Sequence, residues 1–440
     1  MKFLARVRLR GQTPASANSD APNGNGLSPS AIQKGLRLSI IEGALSNIHL
    51  STTTSILLTG FALLLGAKDF EIGLIGALPF IGQFFQFVGA YLEERLGNRR
   101  MLVILSAGVS RSLWAVIAML PFIHSLGSAR LTIFLIILAI TQALLGICNN
   151  AWTSWMSDLV PPRQRGRYFG LRNNVASAVA MLSTMVTGWM VDRYTESGNP
   201  EVGYAIVFIA AVVAAIAGLV VISYQPEPPK PDLRATPLRD LFSAPLKHKR
   251  FRTLMICASL WALTINTVTS FYNAYALQYL EMSFTTLAFF TIIPSISGLI
   301  GQPLVGYCQD RFGDLKVMII SILGLVLLPW GWIGSSPGFY TPLLFCQIGA
   351  GLLWPGVTQG LINMVMDRAP AEGRGAYVAT YGALTGASSF IASVLGGVFM
   401  SLLADFTITI NGFTYTNYTT LFAISSLLRI LMAYIFYRKL

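Results

Sequence analysis

Glu42, Ser46, His49 and Thr53 follow one another at intervals of four, three and four residues. With about 3.6 residues per helical turn, this spacing puts all four on one helix face. A carboxylate, a hydroxyl and an imidazole on one face can hold a proton and pass it on, and imidazole is the side chain that ordinarily titrates near neutral pH. The surrounding sequence is strongly apolar, and ionisable groups inside such segments are costly and default to a functional role. The plain alternative for His49 is a neutral histidine that only hydrogen-bonds. Arg111 and Arg429 also fall inside long apolar stretches. Arg111 could meet an anionic substrate, or pair with Glu42 or a backbone carbonyl, and pairing is the expectation. Arg429 is expected to snorkel its charge toward an interface.

The elements that carry these residues are set by composition. Of 440 residues, 54% are hydrophobic and 11% charged, against about 25% charged in a soluble domain. The mean hydropathy is +0.60. A water-soluble enzyme of this length would have little to place on its surface, so an integral membrane protein is expected. Apolar segments fall at 42–66, 72–92, 101–122, 131–156, 168–191, 203–224, 253–280, 285–308, 316–334, 340–366, 376–403 and 417–438. Each is near or above the roughly 20 residues that a helix needs to cross the hydrocarbon layer. The runs are continuous, whereas barrel strands would alternate. The prediction is an all-α membrane fold of twelve transmembrane helices. Residues 1–35, basic and then rich in Ser, Asn, Pro and Gly, read as a disordered tail. Residues 225–252 hold Pro226, Pro228, Pro229, Pro231, Pro237 and Pro245 and read as a linker. Six-helix bundles are thus expected at 36–224 and 253–440.

With the N-terminus on the cytoplasmic side, 26 Lys and Arg fall in inner segments and three, Lys68, Arg130 and Arg193, in outer loops. The positive-inside rule then places both termini in the cytoplasm, at a plasma or inner membrane. The net charge of +12 is spread over many short loops, which removes a nucleic-acid partner. Cys148, Cys257, Cys308 and Cys346 are far apart and form no CxxC pair, so neither a metal site nor a disulfide framework is expected. No Walker loop, Gly-x-Ser-x-Gly elbow or His-Glu-x-x-His pair is present, so no enzymatic activity and no cofactor are expected. Asn417-Tyr418-Thr419 matches a glycosylation acceptor.

Two motifs recur in both halves. Ala90-Tyr91-Leu92-Glu93-Glu94-Arg95-Leu96-Gly97-Asn98-Arg99-Arg100 follows the second span, and Gly306-Tyr307-Cys308-Gln309-Asp310-Arg311-Phe312-Gly313-Asp314-Leu315-Lys316 follows the eighth. Each reads acid-Arg-x-Gly with a basic residue three places on; the glycine permits a tight reversal between helices. Pro161-Pro162-Arg163-Gln164-Arg165-Gly166-Arg167-Tyr168 after span four matches Pro370-Ala371-Glu372-Gly373-Arg374-Gly375-Ala376-Tyr377 after span ten, with Asp158 and Asp367 preceding them at equal distance. Such parallel repeats indicate duplicated halves. Over residues 36–440 the sequence resembles the major facilitator superfamily of secondary transporters, whose loop after span two reads Gly-x-x-x-Asp-Arg-x-Gly-Arg-Arg/Lys. Gly306, Asp310, Arg311, Gly313 and Lys316 fit it, as do Glu94, Arg95, Gly97, Arg99 and Arg100, with Glu for Asp and Ala90 for the leading Gly. Span five lacks the Gly-x-x-x-Gly-Pro run of the family's drug antiporters, which counts against that subclass.

The resemblance implies two pseudo-symmetric six-helix bundles that rock about a central site. It implies a cytoplasmic gate in the motif loops, at Glu94, Arg95 and Gly97, at Asp310, Arg311 and Gly313, and at Arg374, with Arg95, Asp158 and Arg165 as a charge cluster. The first helix of each three-helix unit then lines the cavity. Candidates there are His49 and Thr53 on span one and Asn149, Asn150 and Trp152 on span four. On span seven they are Asn266, Tyr272 and Asn273, and on span ten Trp354, Gln359 and Asn363. Amides beside aromatic rings suit an uncharged polyhydroxylated or heterocyclic ligand, although such groups also bond between membrane helices. The expected activity is secondary active transport of a small organic solute by a monomer in the lipid bilayer. Protons are the candidate coupling ion, through Glu42, His49 or Arg111. The competing reading is a sensor or membrane-complex assembly factor built on a transporter fold.

Overall fold

The computed structural model describes residues 27–229, 245, 247–370, 374–410 and 413–440. The first half holds α1 (Pro29–Thr53), α2 (Ser55–Leu64), α3 (Asp69–Leu96), α4 (Arg99–Met119), α5 (Ala129–Leu159), α6 (Arg165–Glu196) and α7 (Pro200–Ser223). The second holds α8 (Lys249–Gln278), α9 (Phe284–Phe312), α10 (Asp314–Leu325), α11 (Leu328–Ile333), α12 (Thr341–Arg368), α13 (Arg374–Leu402) and α14 (Asn417–Lys439). A short antiparallel hairpin, β1 (Thr407–Ile410) with β2 (Phe413–Thr416), precedes α14. The expected disordered tail falls mainly on 1–26, outside the described residues. Helix α1 begins at Pro29, where the Ser28 hydroxyl accepts from the Ala31 amide, and so starts upstream of the boundary placed at 36.

Among the described residues, ten helices are long and apolar enough to cross a membrane. Helix α12, of 28 residues, and the pair α1–α2 fall outside that group but pack as full members of their bundles. The packing repeats between halves. In the first, α1 packs on α6 and α7, α3 on α5, and α4 on α5 and α7. In the second, α8 packs on α13 and α14, α9 on α12, and α10 on α12 and α14. The repeated motif turns sit at equivalent corners, where Gly97 and Gly313 take positive φ of 64° and 86°, a conformation costly for a side chain with a Cβ.

Two helices break where they meet the cavities. The first span is not continuous over 42–66 as the apolar run suggests. The hydroxyls of Thr52, Thr53 and Thr54 donate to the carbonyls of Ile48, His49 and Leu50, four residues back, and the backbone turns extended at Thr54. Bonds of this kind compete with the helix ladder and bend it. The ninth span breaks between α10 and α11. Pro329 has no N–H for the carbonyl of Leu325, and Arg429 from α14 supplies one, Nη1 to O at 2.5 Å.

The halves are fastened at one end. Asp192, near the end of α6, accepts from the amides of Phe284 and Thr285 at 2.7 Å each and from the Thr285 hydroxyl at 2.6 Å. These are the first residues of α9, where free amides and the helix dipole favour a carboxylate. Asp69, at the start of α3, accepts from Asn417 Nδ2 at 2.9 Å and Tyr418 Oη at 2.6 Å at the start of α14. Ser393 Oγ donates to Gly73 O at 2.9 Å. All these contacts lie away from the ends of the helices that carry the basic motif loops.

Candidate functional site

A cavity of about 240 Å³ lies within the first bundle, among α1, α4, α5 and α6. Helix α1 presents Glu42, Ser46, His49 and Thr53 to it, and α4 presents Arg111. Glu42 accepts from the Ser46 hydroxyl. It also lies 3.3 Å from Arg111 Nη2 and 3.5 Å from Arg172 Nη2, with all three side chains no more than 13% exposed. One carboxylate therefore faces two guanidiniums. Arg172 reaches the site because Gly43 has no side chain; a Cβ there would stand 2.9 Å from Nη2. Its Cζ also lies 4.3 Å over the Trp152 ring, a cation–π contact. Arg111 donates onward to Ser46 Oγ at 2.7 Å and Ala215 O at 2.9 Å. His49 is buried edge-on to Trp114, and its Nδ1 has no hydrogen-bond partner in the structure.

A second cavity, of about 410 Å³, lies in the other bundle between α8, α12, α13 and α14. Trp261 and Trp354 form one wall with ring centroids 6.4 Å apart. Tyr272 stacks on Trp332 at 5.0 Å and borders the cavity. Asn266 borders it too, donating to Ser389 Oγ at 3.0 Å. Arg429 was expected to snorkel; instead it is 1% exposed and turned inward against this cavity, because α14 packs against α8 and α10 and the broken ninth span draws the guanidinium in.

The candidate residues divide. His49, Thr53, Asn149, Trp152, Glu42 and Arg111 border the first cavity, and Asn266, Tyr272 and Trp354 the second. Asn150 instead donates to Glu93 Oε2 at 3.2 Å, beside Ser154 on the same carboxylate. Asn363 is exposed and donates to Asp314 at 2.8 Å. Asn273 and Gln359 are half-buried and border neither cavity.

The expected Arg95–Asp158–Arg165 cluster is not formed. Asp158 pairs with Arg99 at 2.5 Å, and Arg99 also reaches Glu227 and the carbonyl of Pro228. Arg99 is buried where the chain leaving α7 folds back over α4 and α5, so it meets Asp158 from within, while Arg95 one turn earlier points to solvent and donates to Tyr91 Oη at 3.2 Å. Arg165 turns back to the carbonyls of Ser157 and Val160. Arg311 repeats Arg95, donating to Tyr307 Oη at 3.3 Å, and Glu94 and Asp310 are exposed. Arg374 opens α13, and its side chain lies outside the described residues. Among the described residues no cluster of three His, Cys, Asp or Glu could hold a metal. Asn417, the glycosylation match, is 2% exposed and bonded to Asp69, which leaves no room for a glycan.

A family model described as Major Facilitator Superfamily matches residues 43–393, and again 278–439. The chain belongs to the major facilitator superfamily. A citrate-proton symporter of Salmonella typhi is 22% identical over 318 residues, 71% of each chain. An uncharacterised MFS-type transporter of Mycobacterium tuberculosis is 24% identical over 244 residues, 55% of this chain and 51% of the relative. Among solved structures, the nucleoside transporter NupG superposes with a TM-score of 0.69 at 14% identity, covering 93% of this chain and 98% of NupG. The inward-open xylose transporter XylE from E. coli superposes at 0.60 and 16% identity, covering 93% and 95%. At such identities the likeness is one of fold.

Within this major facilitator frame, four residues escaped the sequence reading. Arg172 lies beside basic loop residues and reads as one of them. Arg99 is overshadowed by Arg95 of the motif. Asp69 and Asp192 stand at span ends, where a charge needs no explanation, and their partners are hundreds or tens of residues away. The Glu42–His49 spacing already pointed to the face that Arg172 joins.

Proposed function

We propose that this protein is a secondary active transporter that moves a small organic solute across the membrane by alternating access, with the basic motif loops and both termini on the cytoplasmic side. Supporting this, above all, is the pairing of two half-cavities, one per bundle, with the fastening contacts found among the described residues gathered at one end. Such an arrangement suits a solute held between the bundles and released at the opposite, basic end. Freeing Asp192 and Asp69 from their partners would open the other end, and the motif loops would then close the basic end. The likeness to a citrate-proton symporter supports protons as the coupling ion, with His49 and Glu42 as the groups that would carry them.

The test is counterflow in proteoliposomes. Vesicles loaded with unlabelled citrate, uridine or xylose are diluted into the labelled solute. Transient accumulation of at least one, absent from protein-free vesicles, is the expected result. Absence of exchange for all three, from protein shown by circular dichroism to be folded and inserted, contradicts the reading and favours the non-transporting alternative.

A further inference from the structure

We propose that Arg429 is an anion-binding residue and that the solute is a small organic carboxylate, an inference that rests on the transport reading above. Arg429 is the charged side chain that borders the 410 Å³ cavity, and among the described residues no carboxylate pairs with it. It lies mid-length on α14, 1% exposed. Arginine keeps its charge in protein interiors, and a buried cation without a counter-charge is costly.

The structural duty of this side chain uses only part of it. Nη1 supplies the donor that Pro329 cannot give to the Leu325 carbonyl. Nη2 has only a long contact, 3.4 Å, with Tyr272 Oη, and Nε has no partner. Nε and Nη2 form one edge of the guanidinium, the edge that binds two carboxylate oxygens in parallel. Satisfying one carbonyl needs a single neutral donor, not a delocalised cation with a free edge.

The opposite bundle has the same imbalance. Around the first cavity Glu42 neutralises one of two guanidiniums, Arg111 and Arg172. The two cavities together are bordered by three arginines and one carboxylate. The missing partner of that field is an anion. One guanidinium edge and a tyrosine hydroxyl match the single charge and coplanar oxygens of a carboxylate, whereas a tetrahedral dianionic phosphate would call for a second cation in the same cavity. Trp261 and Trp354 offer an apolar wall for the remainder of the molecule.

The test uses the purified full chain in detergent, with thermal unfolding as readout. The probes are benzoate, succinate and citrate, against benzamide, succinamide and inorganic phosphate. Carboxylates are expected to raise the unfolding temperature saturably, and the amides to leave it unchanged. Arg429→Gln keeps a donor for Leu325 O, and its own unfolding is recorded without ligand first. It is expected to weaken carboxylate binding by about 10- to 100-fold, the range for losing a charge-assisted pair. Should Arg429→Gln not fold, Tyr272→Phe and Arg429→Lys carry the test, each with weakened binding expected. Equal carboxylate binding in the variants and the parent overturns the proposal, as does equal stabilisation by acids and amides or absence of any carboxylate effect. Stronger stabilisation by phosphate overturns the carboxylate assignment. Uptake of uridine or xylose without carboxylate binding refutes this inference and leaves the transport reading intact. Carboxylate binding that depends on Arg429, without flux, supports the site and refutes transport.

Discussion

Asp192 is the carboxylate whose removal should shift the conformational equilibrium most. It spans the halves with three hydrogen bonds, two to the first amides of α9 and one to the Thr285 hydroxyl. A hydrogen bond to a charged group contributes about 1.5–3 kcal/mol. The three do not add in full, because water replaces them on both partners when the halves separate. A net bias of about 2–3 kcal/mol toward the fastened state remains after that discount. At about 1.4 kcal/mol per tenfold, this is a shift of roughly 30- to 150-fold. Spin labels on Ser197→Cys and Ser336→Cys, both exposed in loops at the fastened end, report the separation. Cys308 and Cys346, the partly accessible native thiols, are replaced by serine. Double electron–electron resonance should give one short distance in the parent and a second, longer population in Asp192→Ala, with Asp192→Asn between them because it keeps an acceptor. Identical distributions in Asp192→Ala and in the double variant with Asp69→Ala would refute the reasoning.

Three further outcomes follow from the same contacts. Arg99→Ala leaves Asp158 and Glu227 without their shared cation; because those carboxylates are 29% and 22% exposed, the loss is discounted to about 2–3 kcal/mol, read as a lower unfolding temperature. Asp310→Ala or Arg311→Ala should slow flux with normal insertion and unchanged ligand affinity, since both residues are exposed and far from the cavities; full flux in both would reduce the loop to a topology signal. His49→Gln keeps hydrogen-bonding capacity but removes a titrating group, so uptake driven by a pH gradient should fail while exchange persists; an undiminished gradient would move coupling to Glu42.

The membrane class and the major facilitator fold were legible because hydropathy and the duplicated turn motifs are local signals. Gly97 and Gly313 end helices at equivalent corners for a reason that can be read from a few residues. The helix face of Glu42 and His49 was legible from spacing alone. Tertiary partners were not. Nothing local separates an arginine that snorkels from one drawn inward by a broken neighbour, and Arg429 turns inward because Pro329, on another span, leaves a carbonyl open. Arg99 and Arg95 differ by four places, yet only the fold back of Glu227 and Pro228 decides which one meets Asp158. The break at Thr54 was readable in principle from the run Ser51-Thr52-Thr53-Thr54, but the apolar residues on both sides mask it.

Under the proposed alternating access, one site is reached from either side of the membrane in turn. Asn149 borders the first cavity and is exposed to it, so Asn149→Cys can report access directly. In oriented vesicles, a membrane-impermeant maleimide should label this thiol from the cytoplasmic side in a protein otherwise altered only by serine at Cys308 and Cys346. With Asp192→Ala added, labelling from the outer side should appear and the cytoplasmic rate should fall. Labelling from one side only, at the same rate in both backgrounds, would contradict alternating access through this cavity.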